Sequence, residues 1–130
     1  MNNKVANSVL NNGSIALDSA FETNLDKNKA NYAALSSTTV MQRAASVYPN
    51  RTATVHGEIR HTWAETFKRC KQLASALQSR GVNPGDAVSI MAPNLAEHFE
   101  AHFAVPMCGA VLNSINIRLD AEAVAFILQH

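Results

Sequence analysis

The chain has 130 residues, which is enough for one domain at most. Eleven basic and ten acidic side chains leave a formal net charge of +1 at pH 7, and this balance argues against a nucleic-acid partner, which would need a clustered basic face. No stretch approaches the ~20 apolar residues of a membrane helix, and no signal peptide or mitochondrial leader is recognisable, so we expect a cytoplasmic chain without a membrane span.

The first 31 residues differ in composition from the rest of the chain. They contain eight asparagines, few large apolar side chains and no helical or strand periodicity. Because such a segment buries too little apolar surface to fold, we predict a disordered polar arm over residues 1–31 and an ordered part over residues 32–130.

Helical and strand patterns begin after this arm. Thr39 and Gln42 have the spacing of a capping box, which predicts a short helix that stops at Pro49. Residues 52–56 and 59–61 predict two short strands around Gly57-Glu58, where glycine at the first turn position suits a tight hairpin.

The clearest pattern predicts a long helix directly after the hairpin. Thr62 and Glu65 form a capping box, and Gly81 has the place of a left-handed cap at the other end. The apolar face is expected to carry Trp63, Phe67, Cys70, Ala74 and Leu77. The opposite, solvated face is expected to carry Lys68, Arg69 and Lys71.

Two short apolar runs follow, with a helix between them. Residues 87–92 and 110–115 predict strands that are covered by other elements. Asn94 and Glu97 have capping spacing at the start of the intervening helix, and Pro106 with the following glycine predicts its end.

A last helix is predicted after a cap at Asp120. Strands that alternate with helices imply crossover units, so the predicted fold class is α/β with a partial, mostly parallel sheet. Two short parallel strands and a hairpin leave strand edges unpaired, and we therefore expect an incomplete domain.

Histidines are the first candidates for a chemical site. His98 and His102 lie one helical turn apart, which is a metal-ligand spacing. The intervening sequence is not His-Glu-x-x-His, and no cluster of cysteines or carboxylates offers a third ligand, so we assign no metal and interpret both as residues at the edge of an apolar face. His56 and His61 flank the hairpin without an evident acid or nucleophile partner, and no catalytic triad is assigned.

Patterns for phosphate binding are weak. Gly81 and Gly85 follow a helix and precede a strand, which reverses the order of a phosphate loop. The turn at residues 93–94 heads a helix but has no glycine or lysine beside it, so a plain cap is favoured. No lysine follows Lys71, whereas phosphoryl and adenylyl transfer rely on fixed cations. We therefore predict no ATP site in this chain.

The cysteines and serines of the chain do not lie in any recognisable motif of a catalytic nucleophile. Cys70 and Cys108 are far apart and lack CxxC spacing; buried thiols are favoured, with a disulfide or a nucleophile as the alternatives. Ser46, Ser75 and Ser89 fall in helices or a strand, none of them in the sharp strand-to-helix turn of a hydrolase nucleophile.

Five sequence blocks, in order, resemble the N-terminal segment of the acyl-CoA synthetase family within the adenylate-forming ligase superfamily. HTWAET at residues 61–66 is similar to the first core motif of adenylation domains, a Leu-Thr-Tyr-x-Glu-Leu type, and residues 105–118 are similar to the second. The remaining blocks occur at the expected spacing, at residues 48–53, 80–86 and 91–94.

The resemblance implies the N-terminal piece of a large AMP-binding domain. Enzymes of this family activate a carboxylic or fatty acid with ATP and Mg to an acyl-adenylate, and then transfer the acyl group to the thiol of CoA. Their ATP-binding and catalytic motifs lie beyond the matched segment, and the matched motifs are framework. No catalytic, cofactor-binding or metal residue is therefore carried over to this chain.

We expect, on this basis, an N-terminal fragment of an acyl-CoA synthetase that is inactive alone, most simply a truncated or frame-shifted product. Two alternatives stay open: one subunit of a split ligase whose partner chain supplies the missing remainder, or a non-enzymatic interaction module. The acid is not encoded in this segment, because the family's acyl pocket is lined mainly by later residues.

Overall fold

The computed structural model describes residues 32–130, and the disordered arm predicted for residues 1–31 lies outside this part. Helices and strands follow one another in the predicted order, and the α/β fold class is confirmed. The elements are α1 (Ser37–Val47), β1 (Thr52–His56), β2 (Ile59–Thr62), α2 (Trp63–Ser79), β3 (Ala87–Ile90), α3 (Ala96–Met107), β4 (Val111–Ser114) and α4 (Ala121–Gln129).

The strands of the described part form two separate two-stranded sheets. β1 and β2 make the predicted antiparallel hairpin, in which Gly57 adopts a φ of 56° that favours glycine. β3 and β4 pair in parallel, with Ala87 opposite Val111 and Ile90 opposite Ser114. Because α3 connects them, this pair is the crossover unit that the sequence predicted.

The cap of α1 differs from the prediction. Ser36 is the N-cap: its Oγ accepts a hydrogen bond from the Thr39 backbone N–H at 3.2 Å, and Thr39 Oγ1 accepts one from the Ser36 N–H at 2.9 Å. The prediction of a capping box between Thr39 and Gln42 is therefore wrong. The box is formed by Ser36 and Thr39, because the threonine hydroxyl accepts the second hydrogen bond that a glutamate or glutamine side chain usually accepts.

Both ends of α2 follow the prediction. Thr62 Oγ1 accepts from the Glu65 backbone N–H at 3.2 Å, and the Glu65 carboxylate accepts from the Thr62 N–H at 2.8 Å. At the other end Gly81 has a φ of 91°, and the Val82 N–H donates to the Leu77 carbonyl at 3.2 Å. This pattern closes the last turn and satisfies carbonyls that the helix leaves free.

The start of α3 contradicts the capping pattern predicted for Asn94 and Glu97. Leu95 occupies the N-cap position, and no side chain caps the helix there. Pro106 lies inside the last turn rather than beyond it, and Gly109, with a φ of 74°, follows the helix end. Because proline has no N–H, Pro106 cannot donate to the carbonyl four residues before it, and α3 ends one residue later at Met107.

The hydrophobic core lies between α1, α2, α3 and one face of the β3–β4 sheet. Fully buried side chains come from all three helices. Complete burial of an apolar side chain the size of valine or methionine stabilises the fold by about 1.5–3 kcal/mol. Around them pack the predicted apolar positions of α2 together with Val88 and Leu112 of the sheet. The largest fully buried side chains are Met41, Thr66, Cys70 and Val105.

Two parts of the fold lie outside this core. α4 begins at the predicted cap, where the Asp120 carboxylate accepts from the Ala123 N–H at 2.8 Å, but none of its residues is buried. The outer face of the β3–β4 sheet is also uncovered, and Val111 on that face is 60% exposed. No helix between residues 32 and 130 is long and apolar enough to cross a membrane.

Candidate functional site

A cavity with a volume of about 750 Å³ lies between β1, α3 and the end of β4. Three of the histidines considered from the sequence meet there, although they are distant in the chain. Its polar lining comes from His56, His98, His102, Asn94, Thr54 and Ser114, and its apolar lining includes Leu95, Phe99 and Phe103.

His98 is held at both ring nitrogens. Nδ1 lies 3.3 Å from the Pro93 carbonyl oxygen and Nε2 lies 3.0 Å from Ser114 Oγ. A carbonyl only accepts, so Nδ1 carries a proton, and in the neutral imidazole Nε2 then accepts a hydrogen bond from the Ser114 hydroxyl. The sequence analysis missed Ser114, because it lies 16 residues from His98 and only the parallel pairing of β3 with β4 brings the two together.

A hydroxyl that donates to an imidazole is the first contact of a serine nucleophile with its base. In catalytic triads a carboxylate orients that imidazole, whereas a backbone carbonyl does so here. The His102 ring lies beside the His98 ring, tilted by 37° with ring centroids 5.1 Å apart, and His102 Nδ1 bonds to the His98 carbonyl at 2.8 Å. Both rings are therefore oriented by backbone groups, and we assign no catalytic role to the pair.

In the described part of the chain, no further metal-ligating side chain lies beside His98 and His102. Within residues 32–130, no three His, Cys, Asp or Glu side chains are close enough to hold a metal ion together. The helical spacing of His98 and His102 brings their rings into contact, but a third ligand is needed for a structural or catalytic zinc site.

A second polar cluster joins α2 to α3. Glu100 is only 4% exposed, and its carboxylate accepts a hydrogen bond from Arg69 Nε. Arg69 also lies 3.6 Å from the Glu97 carboxylate, and His61 Nδ1 lies 3.6 Å from Glu100. The hydrogen bond to Glu100 raises the pKa of Arg69, so this guanidinium stays protonated at any physiological pH.

This cluster corrects two interpretations of the sequence. Arg69 is not simply part of the solvated face of α2, since it pairs with a buried carboxylate 31 residues away. His61 does face an acid, although it makes no hydrogen bond through Nδ1. The cluster connects α2, α3 and the hairpin, so its role is to hold the framework together.

The two cysteines are free and buried, as favoured from the sequence. The Cys70 thiol donates to the Glu100 carbonyl at 3.5 Å, and the Cys108 thiol donates to the Ala74 carbonyl at 3.3 Å. Burial raises the pKa of Cys70 to about 11 and also raises the pKa of Cys108. Both groups are therefore protonated and poorly nucleophilic near neutral pH.

The loops considered for phosphate binding keep framework roles. Gly81 and Gly85 both have a φ of 91° and connect a helix end to a strand, which is the order expected from the sequence. The Gly85 N–H donates to the Gly109 carbonyl at 2.9 Å, so it is not free to bind an anion.

Among the serines considered from the sequence, Ser46 donates its hydroxyl hydrogen to the Gln42 carbonyl within α1.

Comparison with known proteins identifies the family to which this segment belongs. The family model described as AMP-binding enzyme matches residues 41–130. The chain belongs to the AMP-binding enzyme family. The resemblance to adenylate-forming ligases read from the five sequence blocks is thereby confirmed.

Curated relatives of this AMP-binding chain are CoA ligases. It is 53% identical over 106 residues to a peroxisomal acetate/butyrate–CoA ligase of Arabidopsis thaliana and 50% identical over 106 residues to an acetate–CoA ligase of Humulus lupulus. Each match covers 82% of the chain but only 19% of the relative. The chain therefore spans about a fifth of the length of these ligases.

Solved structures agree with the fold. A putative long-chain-fatty-acid CoA ligase from Rhodopseudomonas palustris CGA009 superimposes with a TM-score of 0.67 at 38% identity, covering 70% of this chain and 23% of that one. A Mycobacterium tuberculosis fatty acyl CoA synthetase superimposes with a TM-score of 0.68 at 31% identity, covering 70% and 18%. The helices and the two small sheets thus match one segment of adenylate-forming ligases.

Proposed function

We propose that this AMP-binding chain is the N-terminal part of an acyl-CoA ligase that joins a small carboxylic acid to CoA at the expense of ATP. In the parent reaction the carboxylate attacks the α-phosphate of ATP to give an acyl-adenylate and pyrophosphate, and the CoA thiol then displaces AMP. The observation that carries this proposal is the 53% identity over 106 residues to an acetate/butyrate–CoA ligase.

We further propose that the 130 residues do not carry out this reaction alone. The cavity lined by the three histidines has no lysine, arginine or carboxylate among its described lining residues. Adenylyl transfer places charge on phosphate oxygens that fixed cations and Mg must neutralise. The role supported by the contacts of Glu100 and Arg69 is instead to form a rigid framework on which the ligase domain is built.

The names of the relatives favour a small carboxylic acid as the substrate, but they do not identify which acid. The names of the similar ligases include acetate, butyrate, 2-methylpropanoate and benzoate. Several of these names also include the word peroxisomal, so the cytoplasmic location expected from the sequence stays a prediction.

Two experiments test the proposed function. The isolated chain, incubated with ATP, Mg, CoA and either acetate or butyrate, should release no pyrophosphate above a blank without protein. In the second experiment, the matching segment of the Arabidopsis acetate/butyrate–CoA ligase is replaced by residues of this chain. The chimera should form acetyl- and butyryl-CoA with a kcat/KM within about tenfold of the parent. An inactive but folded chimera, or an active isolated chain, would overturn the proposal.

A further inference from the structure

The cavity between β1 and α3 has an aromatic wall. Phe99 and Phe103 of α3 meet edge to face there, with ring centroids 5.1 Å apart and ring planes inclined by 69°. A further aromatic ring can pack against such a wall, because aromatic rings prefer offset or edge-to-face contacts with one another. The cavity volume of about 750 Å³ also lies within the usual range of small-molecule sites, which is roughly 300–1,000 Å³.

One polar atom of the cavity lining is buried without a partner. Thr54 Oγ1 makes no hydrogen bond within the part of the chain that the structure describes. Thr54 pairs with His61 across the hairpin, and His61 lies 3.6 Å from Glu100 of α3, so the Thr54 side chain is on the hairpin face that is turned towards α3. A buried hydroxyl without a partner is destabilising, and a ligand group that bonds to it removes this cost.

The remaining polar groups of the lining are hydroxyl, amide and imidazole groups. His98 and Ser114 already bond to each other, whereas the side chains of His56 and Asn94 have no hydrogen bond among residues 32–130. No lysine, arginine or carboxylate belongs to the described lining. The cavity therefore offers hydrogen-bonding groups beside an aromatic wall, without a fixed charge.

From these observations we propose that the cavity is a binding site for an uncharged aromatic molecule with one hydroxyl group, that is, a ligand of the phenol class. The ligand ring packs against Phe99 and Phe103, and the ligand hydroxyl makes a hydrogen bond with Thr54 Oγ1. The inference goes beyond the proposed function and does not depend on it, since the binding of such a ligand needs neither ATP nor CoA.

The lining selects against charged ligands and against plain hydrocarbons. A carboxylate or phosphate that leaves water needs a cation or several donors in return, and the described lining contains no lysine or arginine. A hydrocarbon ring can pack against the aromatic wall, but it leaves the Thr54 hydroxyl unpaired. Phenol should therefore bind more tightly than either benzoate or benzene.

The test measures the affinities of phenol, benzoate and benzene for the full 130-residue chain by two-dimensional NMR of the backbone amides. A pH of about 8 is suitable, because it lies above the usual titration range of histidine. Phenol should shift the amides of Thr54, Phe99 and Phe103 with a dissociation constant on the order of 1 mM, which is ordinary for so small a ligand. Benzoate and benzene should each bind at least about fivefold more weakly, as expected for one missing or uncompensated hydrogen bond.

Thr54→Val removes the hydroxyl and keeps the shape of the side chain. This variant should weaken phenol binding by about fivefold and leave benzene binding unchanged or slightly tighter. Thr52 provides a matched control, because it lies in the same strand but is exposed and is not part of the cavity lining. Thr52→Val should leave the affinities for phenol and benzene within about twofold of those of the wild type.

A native amide spectrum shows that each variant still folds. If Thr54→Val does not fold, the order of the three affinities in the wild-type chain decides the question. Absence of phenol-induced shifts around the cavity, tighter binding of benzoate than of phenol, or equal effects of Thr54→Val and Thr52→Val on phenol binding would each overturn the proposal. None of these results changes the expected activity of the ligase chimera, so the proposed function stands or falls separately.

Discussion

The Cys70 thiol offers a direct measurement of whether the core is packed as the structure has it. Burial raises the pKa of Cys70 to about 11, whereas an unperturbed thiol titrates near 8.5. At pH 8 roughly a quarter of unperturbed thiols are ionised, but only about one buried thiol in a thousand. Because the thiolate is the reactive form, Cys70 should react roughly two hundredfold more slowly in the folded chain than in urea.

The assay follows the reaction of a single thiol with a chromogenic disulfide reagent. Cys108→Ala leaves Cys70 as the only cysteine, and Cys70→Ala provides the reciprocal chain. The native rate of Cys70 should keep rising between pH 8.5 and 10, where the rate of an ordinary thiol levels off. A two-hundredfold slower reaction also requires that the free energy of opening the core is at least about 3 kcal/mol. With a smaller free energy of opening, the Cys70 thiol would be exposed often enough to react faster.

The reasoning fails if Cys70 reacts within tenfold of its rate in urea, or if its rate levels off with pH like that of a free thiol. Either result would mean that the core around Met41, Cys70 and Ala74 is open to solvent in the isolated chain. A slow Cys70 together with a fast Cys108 would instead locate the opening at the end of α3.

Two further predictions concern the stability of the chain, measured by urea unfolding with Trp63 fluorescence. Arg69→Met should destabilise by about 3 kcal/mol because it leaves the Glu100 carboxylate buried and unpaired, whereas the double variant with Glu100→Met should recover most of that loss; a double variant as unstable as Arg69→Met contradicts the pairing. Thr62→Ala should cost about 1 kcal/mol as a lost N-cap. Hydrogen bonds from Thr62 lower the pKa of Glu65, so this carboxylate contributes stability above its unfolded pKa, near 4.3, and loses it as the pH falls. The difference between wild type and Thr62→Ala should therefore shrink in acid, and a constant difference from pH 7 to pH 3 would refute the role of Glu65.

Local patterns in the sequence predicted the elements of this protein well. The hairpin around Gly57, the capping box of Thr62 and Glu65, and the left-handed end at Gly81 all involve residues within a few positions of one another. Their hydrogen bonds are therefore encoded by short spacings. The start of α3 was predicted less well, because the Asn94 and Glu97 pattern looks like a cap although the helix begins at Leu95 without one.

The family resemblance was also contained in the sequence, since its five blocks keep order and spacing along the chain. Tertiary structure alone decided which distant side chains meet: Arg69 with Glu100, and His98 with Ser114. Such contacts join positions far apart in the chain, and no periodicity of either partner records the other. The uncovered state of α4 was likewise visible only in the fold, because an apolar helix has the same sequence whether or not another part of a domain packs against it.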